Sequence, residues 1–522
     1  MLCGRQVGLP GEPALHEVVS GHARRRPDSP ALTCGPDVRL SYAQLDARAS
    51  QFAHYLRGAG IGRGSIVGVC VDRSAELMIA ILGILKAGAA YVPLDPTYPA
   101  DRLRLMLSQL PQMGLIAVTP ATAELVPGAE HLDMAALAPR LDELPEAAPP
   151  GEPRGDDLCY VVFTSGSTGT PKAVSIDHRG WYNLLLWLQD EYGLGPDSSG
   201  LVISSFGFDL TQRALMLPLF NGACLHLLPG RYPDARLAYR LISDMGVATV
   251  HCAPSMIYLL AEREGERAGA LSGLTYLFSG GEPLNVGRIA GWATSTGNGC
   301  KVANVYGVAE CTDISSAHLL ADFPGYLSGP LPAGRAIHNT AVLVLTPGEL
   351  PEVPDGETGE ICVTGTGVGP GYLNASPADA RRFTTIGQNG SAVRMYRTGD
   401  LGYVRRDGEL ILVGRVDAQV KVRGTRVDLG DVEAAIRRHP LVRDVAVLAL
   451  PDDSGETGLV AALLPANGKV DTRDLRRDLL DALPTSMIPQ QFFEVSDFPL
   501  NPNGKIDRPA LARRLEVGGT AD

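Results

Sequence analysis

The sequence predicts an α/β protein of at least two domains, on three observations. Helix-like and strand-like patterns alternate along the N-terminal part, the rhythm of a mostly parallel sheet covered by helices. The 522 residues exceed what one hydrophobic core serves, roughly 250–300. A charged, glycine-flanked stretch at 414–426 precedes a shorter run of helix and strand patterns that suits a small α+β domain. With 45% hydrophobic and 20% charged residues the chain is globular, not disordered.

The elements follow in order. Residues 13–24 read as an amphipathic helix. Ser41 caps a helix starting near Tyr42, with Gln44 three residues on as its capping-box partner. Residues 66–71 are a β-branched run typical of a buried strand, 75–87 a helix stopped by Gly88, and 91–94 a second strand. The segment 143–157, rich in Pro, Gly and acids, reads as a linker. Beyond the charged stretch a helix is expected at 429–439, strands at 442–450 and 459–464, and a helix at 472–483. The expected boundary puts a core domain at 1–416 and a second domain at 417–522, with a hinge at Asp417.

Composition narrows the function. A net charge of −12 argues against general binding to nucleic acid or a membrane surface. The apolar run 77–92 is interrupted by Lys86 and is short for a membrane span. Nine scattered cysteines, with no CxxC pair and no zinc-ligand spacing, read as reduced thiols of a cytoplasmic protein.

The chemistry-bearing motif follows the strand run 160–163. It comprises Thr164, Ser165, Gly166, Ser167, Thr168 and Gly169, and closes on Lys172. Glycines let the backbone approach a ligand, successive N–H groups cradle an anion, hydroxyls add donors and the lysine supplies a cation. The spacing is not the Walker pattern.

This loop resembles the signature of the adenylate-forming superfamily, in particular nonribosomal peptide synthetase adenylation domains. The likeness spans nearly the whole chain: segments 40–45, 85–95, 359–367, 396–401, 414–433, 483–489 and 503–508 follow in family order. The resemblance implies a large N-terminal domain of packed β/α subdomains and a small, mobile C-terminal domain that rotates about Asp417. It implies ATP and magnesium as cofactors, an amino acid as substrate, and a phosphopantetheine thiol of a peptidyl carrier protein as acceptor. An MbtH-like protein is a further partner of some members. No Gly-x-Asp-Ser attachment motif follows Arg508, so the expectation is a free-standing enzyme loading a carrier in trans, or an excised domain. Two departures stand out: Ala173 where the family usually has glycine, and Val308 and Ala309 where it typically has proline and threonine.

Site residues carry over by motif. Lys505 is the catalytic cation. Glu310 is the magnesium ligand. Asp400 accepts from both ribose hydroxyls, and Arg415 contacts ribose or phosphate. Asn304 and Tyr306 contact adenine, and Gly281 lies in the nucleotide site. The substrate pocket comprises Asp209, Leu210, Arg213, His251, Phe278, Gly280, Val305, Asp313 and Ile314, with Asp209 on the α-ammonium. Three buried polar groups predict a small hydrophilic amino acid. Asp313 would favour an amine or hydroxyl, and an acidic or amide side chain on Arg213 is the alternative. The competing activity is an acyl- or aryl-CoA ligase of the same superfamily, for which Asp209 has no use.

Overall fold

A computed structural model describes the chain except residues 152–153, 165–170, 267–268, 270, 296–298, 322, 328–329, 349, 351, 355, 389–390, 417–418, 423–424, 453–455, 467–469, 500–505, 507 and 518–522. Two compact units emerge. The first comprises Met1–Thr97, Leu107–Phe163 and Lys172–Val416; the second comprises Tyr98–Met106, Thr164–Pro171 and Asp417–Asp522.

Three sheets organise the first unit among the described residues. In one, Ile66–Cys70 lies between Ala90–Pro93 and Leu115–Val118, all parallel, with Ala90–Pro93 next to Leu158–Thr164. The largest sheet has nine strands. Its parallel centre runs through Gly200–Val202, Thr249–Cys252, Tyr276–Gly280 and Lys301–Tyr306, and antiparallel strands close both edges. A third, antiparallel sheet includes Thr340–Leu345, Gly359–Gly365 and Ser391–Val404. Parallel strands bury both faces, which explains why 66–70 reads as unbroken apolar sequence and why all five residues are buried.

Local signals set the helices. Ser41 and Gln44 form the reciprocal capping box expected of them, opening Tyr42–Gly58. Ala75–Ala87 ends at Gly88, whose φ of 85° is the left-handed geometry that glycine adopts without penalty. The two helices share a buried polar knot: Lys86 Nζ donates to Asp46 at 2.6 Å and to Ser20 and Ser50 at 2.9 Å each. Tyr91, Tyr160 and Trp181 form a fully buried aromatic cluster between the first sheet and the helix His178–Tyr192.

In the second unit Val442–Pro451, Thr457–Pro465 and Gln491–Glu494 form a mixed sheet packed by Leu429–Ile436 and Thr472–Ala482. The first of these helices stops at Ile436, three residues short of the expected end. Pro440 disfavours helical geometry at the residue before it, and 437–439 form a turn. Glu433, buried on that helix, accepts from Val447 N at 2.9 Å and from Arg508 at 2.6 Å.

Burial pushes His178 and His226 down to about 4. The unfolded chain therefore binds these protons first. Their contribution is complete above pH 6.5 and is lost as pH falls toward 4. Asp177, raised by burial to about 6, opposes them over part of that range. The buried His16 and His251, also pushed down by burial, add to the loss, so the fold is expected to be less stable at pH 5 than at pH 7. Urea unfolding at the two pH values checks this; His226→Gln should flatten the dependence, and equal midpoints in the parent protein would contradict it.

Candidate active site

The site in the first unit is built on the parallel strands Thr249–Cys252, Tyr276–Gly280 and Lys301–Tyr306 and on the helix Asp209–Phe220. Register sets His251 beside Phe278, and Gly280 beside Val305. Because side chains alternate along a strand, Phe278 and Gly280 share a face. The His251 and Phe278 rings stack, with centroids 4.3 Å apart and planes 8° apart. A Cβ on Gly280 would come within 2.7 Å of Val305 Cγ2, so a side chain here would require Val305 to shift.

The helix is aimed by residues that motif reading did not single out. Tyr91 donates to Gln212 Oε1 at 2.7 Å, and Gln212 Nε2 in turn donates to the carbonyls of Phe206 and Phe208. Asp95 accepts from the Ser205 hydroxyl and from Gly207 N. Tyr91 and Asp95 both lie in the segment 85–95, which the family resemblance covers as a whole without assigning them a role. Their role, holding the turn 205–208 that starts the helix, depends on contacts more than a hundred residues apart. Asp209 is the first helical residue; its Oδ1 accepts from Leu210 N at 2.7 Å, a favourable place for an anion.

Arg213, one turn on, is completely buried. Its Nε donates to His251 Nδ1 at 3.1 Å and its Nη1 to Asp313 Oδ2 at 2.6 Å. Burial, and then the Arg213 charge, push the His251 imidazole well below its ordinary value. Asp313 reaches the guanidinium from an unusual loop: Thr312 and Asp313 have φ of 57° and 68°, left-handed geometry that costs a β-branched residue such as threonine. Thr312 is held there by donating to Gly367 O at 2.7 Å. The loop returns so close to Gly307 that a Cβ there would sit 1.7 Å from the Asp313 carbonyl oxygen. Leu210, Val305 and Ile314 are apolar and buried.

A second group lies on the third sheet and its flank. Asp400 accepts from Tyr306 Oη at 2.7 Å and from Arg415. Arg415 also donates to Thr398 O at 3.2 Å. Burial and the Asp400 charge push Tyr306 well up, so it remains the donor. The structure thus joins Tyr306, Asp400 and Arg415 in one buried network. Asn304 sits on the same strand as Tyr306 with its amide donating to Pro332 O at 2.8 Å. Gly281 follows the strand Tyr276–Gly280 with φ of 90°.

Tyr372 organises a third group. It donates to Glu310 Oε1 at 2.7 Å and lies 3.0 Å from the Tyr396 hydroxyl. Lys172 Nζ lies 5.8 Å from the centre of its ring and pairs with Asp379 at 2.7 Å. Burial raises the Asp379 carboxyl, but hydrogen bonds from Lys172 and Ser376 outweigh it and hold the group below its ordinary value. Glu310 is fully buried, and no cluster of three His, Cys, Asp or Glu able to hold a metal occurs among the described residues. A single carboxylate suits magnesium bound with a nucleotide, since phosphate oxygens and water complete its shell. Thr164 ends the strand Leu158–Thr164 with its hydroxyl buried. Ser165, Gly166, Ser167, Thr168, Gly169, Asp417 and Lys505 lie outside the described residues.

Residues 19–373 match the family described as AMP-binding enzyme, and 431–505 match the AMP-binding enzyme C-terminal domain. The chain belongs to the AMP-binding enzyme family. Among its relatives, a dimodular nonribosomal peptide synthase of Bacillus subtilis (strain 168) is 36% identical over 95% of this chain, and tyrocidine synthase 3 of Brevibacillus parabrevis is 33% identical over 97%. The chain spans only 21% and 8% of those proteins. An artificially fused adenylation–PCP di-domain from Klebsiella oxytoca, NpsA-ThdA, superposes with a TM-score of 0.83 at 27% identity, covering 93% of this chain and 94% of that one. The o-succinylbenzoate CoA synthetase of Bacillus subtilis shares the fold, with a TM-score of 0.82 at 20% identity. The chain is therefore an adenylation domain of the nonribosomal peptide synthetase type and an adenylating ligase. No helix among the described residues of this adenylation domain is long and apolar enough to cross a membrane.

Gly307→Ala in the adenylation domain must displace the Asp313 loop, because the clash is with backbone. It should cost more than about 2 kcal/mol, read as a lowered urea midpoint. An unchanged midpoint would place the loop elsewhere.

Proposed function

We propose that this adenylation domain activates a small, polar α-amino acid with ATP and passes the aminoacyl group to the phosphopantetheine thiol of a peptidyl carrier protein, in the cytoplasm. In the first step the amino-acid carboxylate attacks the α-phosphorus, the bond to the leaving pyrophosphate breaks, and an aminoacyl adenylate forms. In the second the carrier thiol attacks the acyl carbon, giving a thioester and AMP. The observation that carries the amino-acid reading is the buried polar trio Arg213–His251–Asp313 one helical turn from Asp209. A hydrocarbon acid of the kind an acyl-CoA ligase takes would leave these groups facing apolar atoms.

The roles divide by chemistry. The transition state concentrates negative charge, so positioning and electrostatic stabilisation dominate over proton transfer. Lys172 and the 164–169 loop cradle phosphate, with Lys172 exchanging Asp379 for the nucleotide. Asp400, oriented by Tyr306 and Arg415, takes the ribose hydroxyls, and Asn304 and Gly281 frame the base. Glu310, steadied by Tyr372, would hold magnesium, which neutralises phosphate charge when bound. Asp209 takes the α-ammonium. Lys505 bridges the carboxylate and the α-phosphate. Residues from 417 on form a mobile domain turning at Asp417 between the two steps, with a peptidyl carrier protein as the acceptor and an MbtH-like protein only as a further candidate partner.

Two variants test the assignment. Lys505→Ala should lower amino-acid-dependent pyrophosphate exchange by about a hundredfold or more; activity within a few-fold of the parent would remove Lys505 from the mechanism. Asp417→Pro fixes φ at the proposed pivot. Exchange should be partly retained while carrier thioester formation is lost, and equal loss of both in a folded protein would argue against rotation there.

A further inference from the structure

We infer that the side-chain pocket selects a short α-amino acid ending in a neutral oxygen acceptor, a carboxamide first of all, over an amine, a carboxylate or a hydrocarbon. The inference rests on the reading that Arg213, His251 and Asp313 face the substrate side chain, and it specifies which chemistry they accept.

The argument starts from the hydrogen bonds that remain unmade. Arg213 commits Nε to His251 and Nη1 to Asp313, while its buried Nη2 has no partner among the described residues. His251 accepts at Nδ1, so as a neutral ring it carries its proton on Nε2, and this buried atom also has no partner among the described residues. Both groups are more than nine-tenths buried, at 1% and 2% exposure. What the trio offers is therefore two donors, one on the guanidinium and one on the imidazole. Water or a ligand must supply an acceptor, because buried donors left unpaired are strongly disfavoured.

Each side-chain class meets these donors differently. A hydrocarbon leaves both unpaired. A primary amine adds a third donor, and the Asp313 oxygen nearest the guanidinium, Oδ2, is already engaged by it. A carboxylate could accept, but charge decides against it. Arg213 and Asp313 balance each other and His251 is neutral, so a further carboxylate would be a buried charge without a counter-ion. His251 cannot supply one by taking a proton, because Nδ1 would then become a donor facing the Arg213 Nε–H. A carbonyl oxygen has two lone pairs and no charge, so it matches these donors without disturbing the Arg213–Asp313 pair. Asp313 is then a positioning residue: it fixes the guanidinium and cancels its charge.

The test is pyrophosphate exchange, as kcat/KM, for asparagine, glutamine, serine, aspartate, 2,3-diaminopropionate and leucine. The parent protein should favour asparagine at least tenfold over aspartate, diaminopropionate, serine and leucine. The double variant Arg213→Met/Asp313→Asn removes donor and counter-charge together; it should lose the preference for asparagine over leucine while still supporting exchange with some member of the panel. Aspartate taken as well as asparagine overturns the charge argument, and a preference for diaminopropionate, serine or leucine overturns the inference while leaving amino-acid activation intact. Exchange with no amino acid but with an aryl acid overturns the functional reading itself. If the double variant does not fold, the parent panel alone decides.

Discussion

Burying the guanidinium of Arg213 is the constraint around which the centre of this molecule is arranged. An unpaired charge at that depth would cost several kcal/mol, so a partner must be brought to it. The partner is Asp313, a hundred residues away in sequence, and its loop adopts left-handed geometry at two successive non-glycine residues to deliver it. That return path exists only because residue 307 has no side chain. The neighbouring strand supplies His251, whose ring is clamped by Phe278 and whose tautomer is fixed by Arg213 itself. Glycine, strain, stacking and ion pairing are thus one connected device.

The same logic extends outward from the helix that carries Arg213. Its start is fixed by the turn 205–208, and the turn is held by Asp95 and, through Gln212, by Tyr91. Tyr91 also packs in the aromatic cluster with Tyr160 and Trp181. Tyr160 lies in the strand that leads into the Ser/Thr/Gly loop. One buried cluster therefore supports both the strand before the Ser/Thr/Gly loop and the helix that carries Arg213.

Lys172, Tyr372, Glu310 and Asp400 show a different economy. Among the described residues, three charged groups that the proposed chemistry assigns to the nucleotide are held by protein partners: Lys172 by Asp379, Glu310 by Tyr372, Asp400 by Tyr306 and Arg415. Tyr372, Tyr306 and Arg415 fix orientation before the ligand arrives, which is what electrostatic preorganisation requires, whereas Asp379 balances Lys172 until a ligand takes its place. They also keep the buried charges compatible with a stable fold.

By itself the sequence determined what is local and periodic. The capping box at Ser41, the glycine stop at Gly88, the buried strand at 66–70 and the motif order that leads to the AMP-binding family were all legible, because each depends on neighbours within a few residues or on residue identity at fixed spacing. The helix beginning at residue 429 was legible as a helix but not in its length, since Pro440 acts through the geometry of the residue before it. Tertiary structure alone decided how the polar groups pair. Sequence pointed Asp313 at a substrate amine or hydroxyl; the folded loop instead brings it to 2.6 Å from Arg213 and leaves buried donors on Arg213 and His251 without partners among the described residues. Likewise, nothing in the segment 85–95 foretold that Tyr91 and Asp95 would hold a turn beginning 110 residues after Asp95. Hydrogen-bond partners at that separation are fixed by strand order and helix orientation, and those exist only once the sheets are assembled.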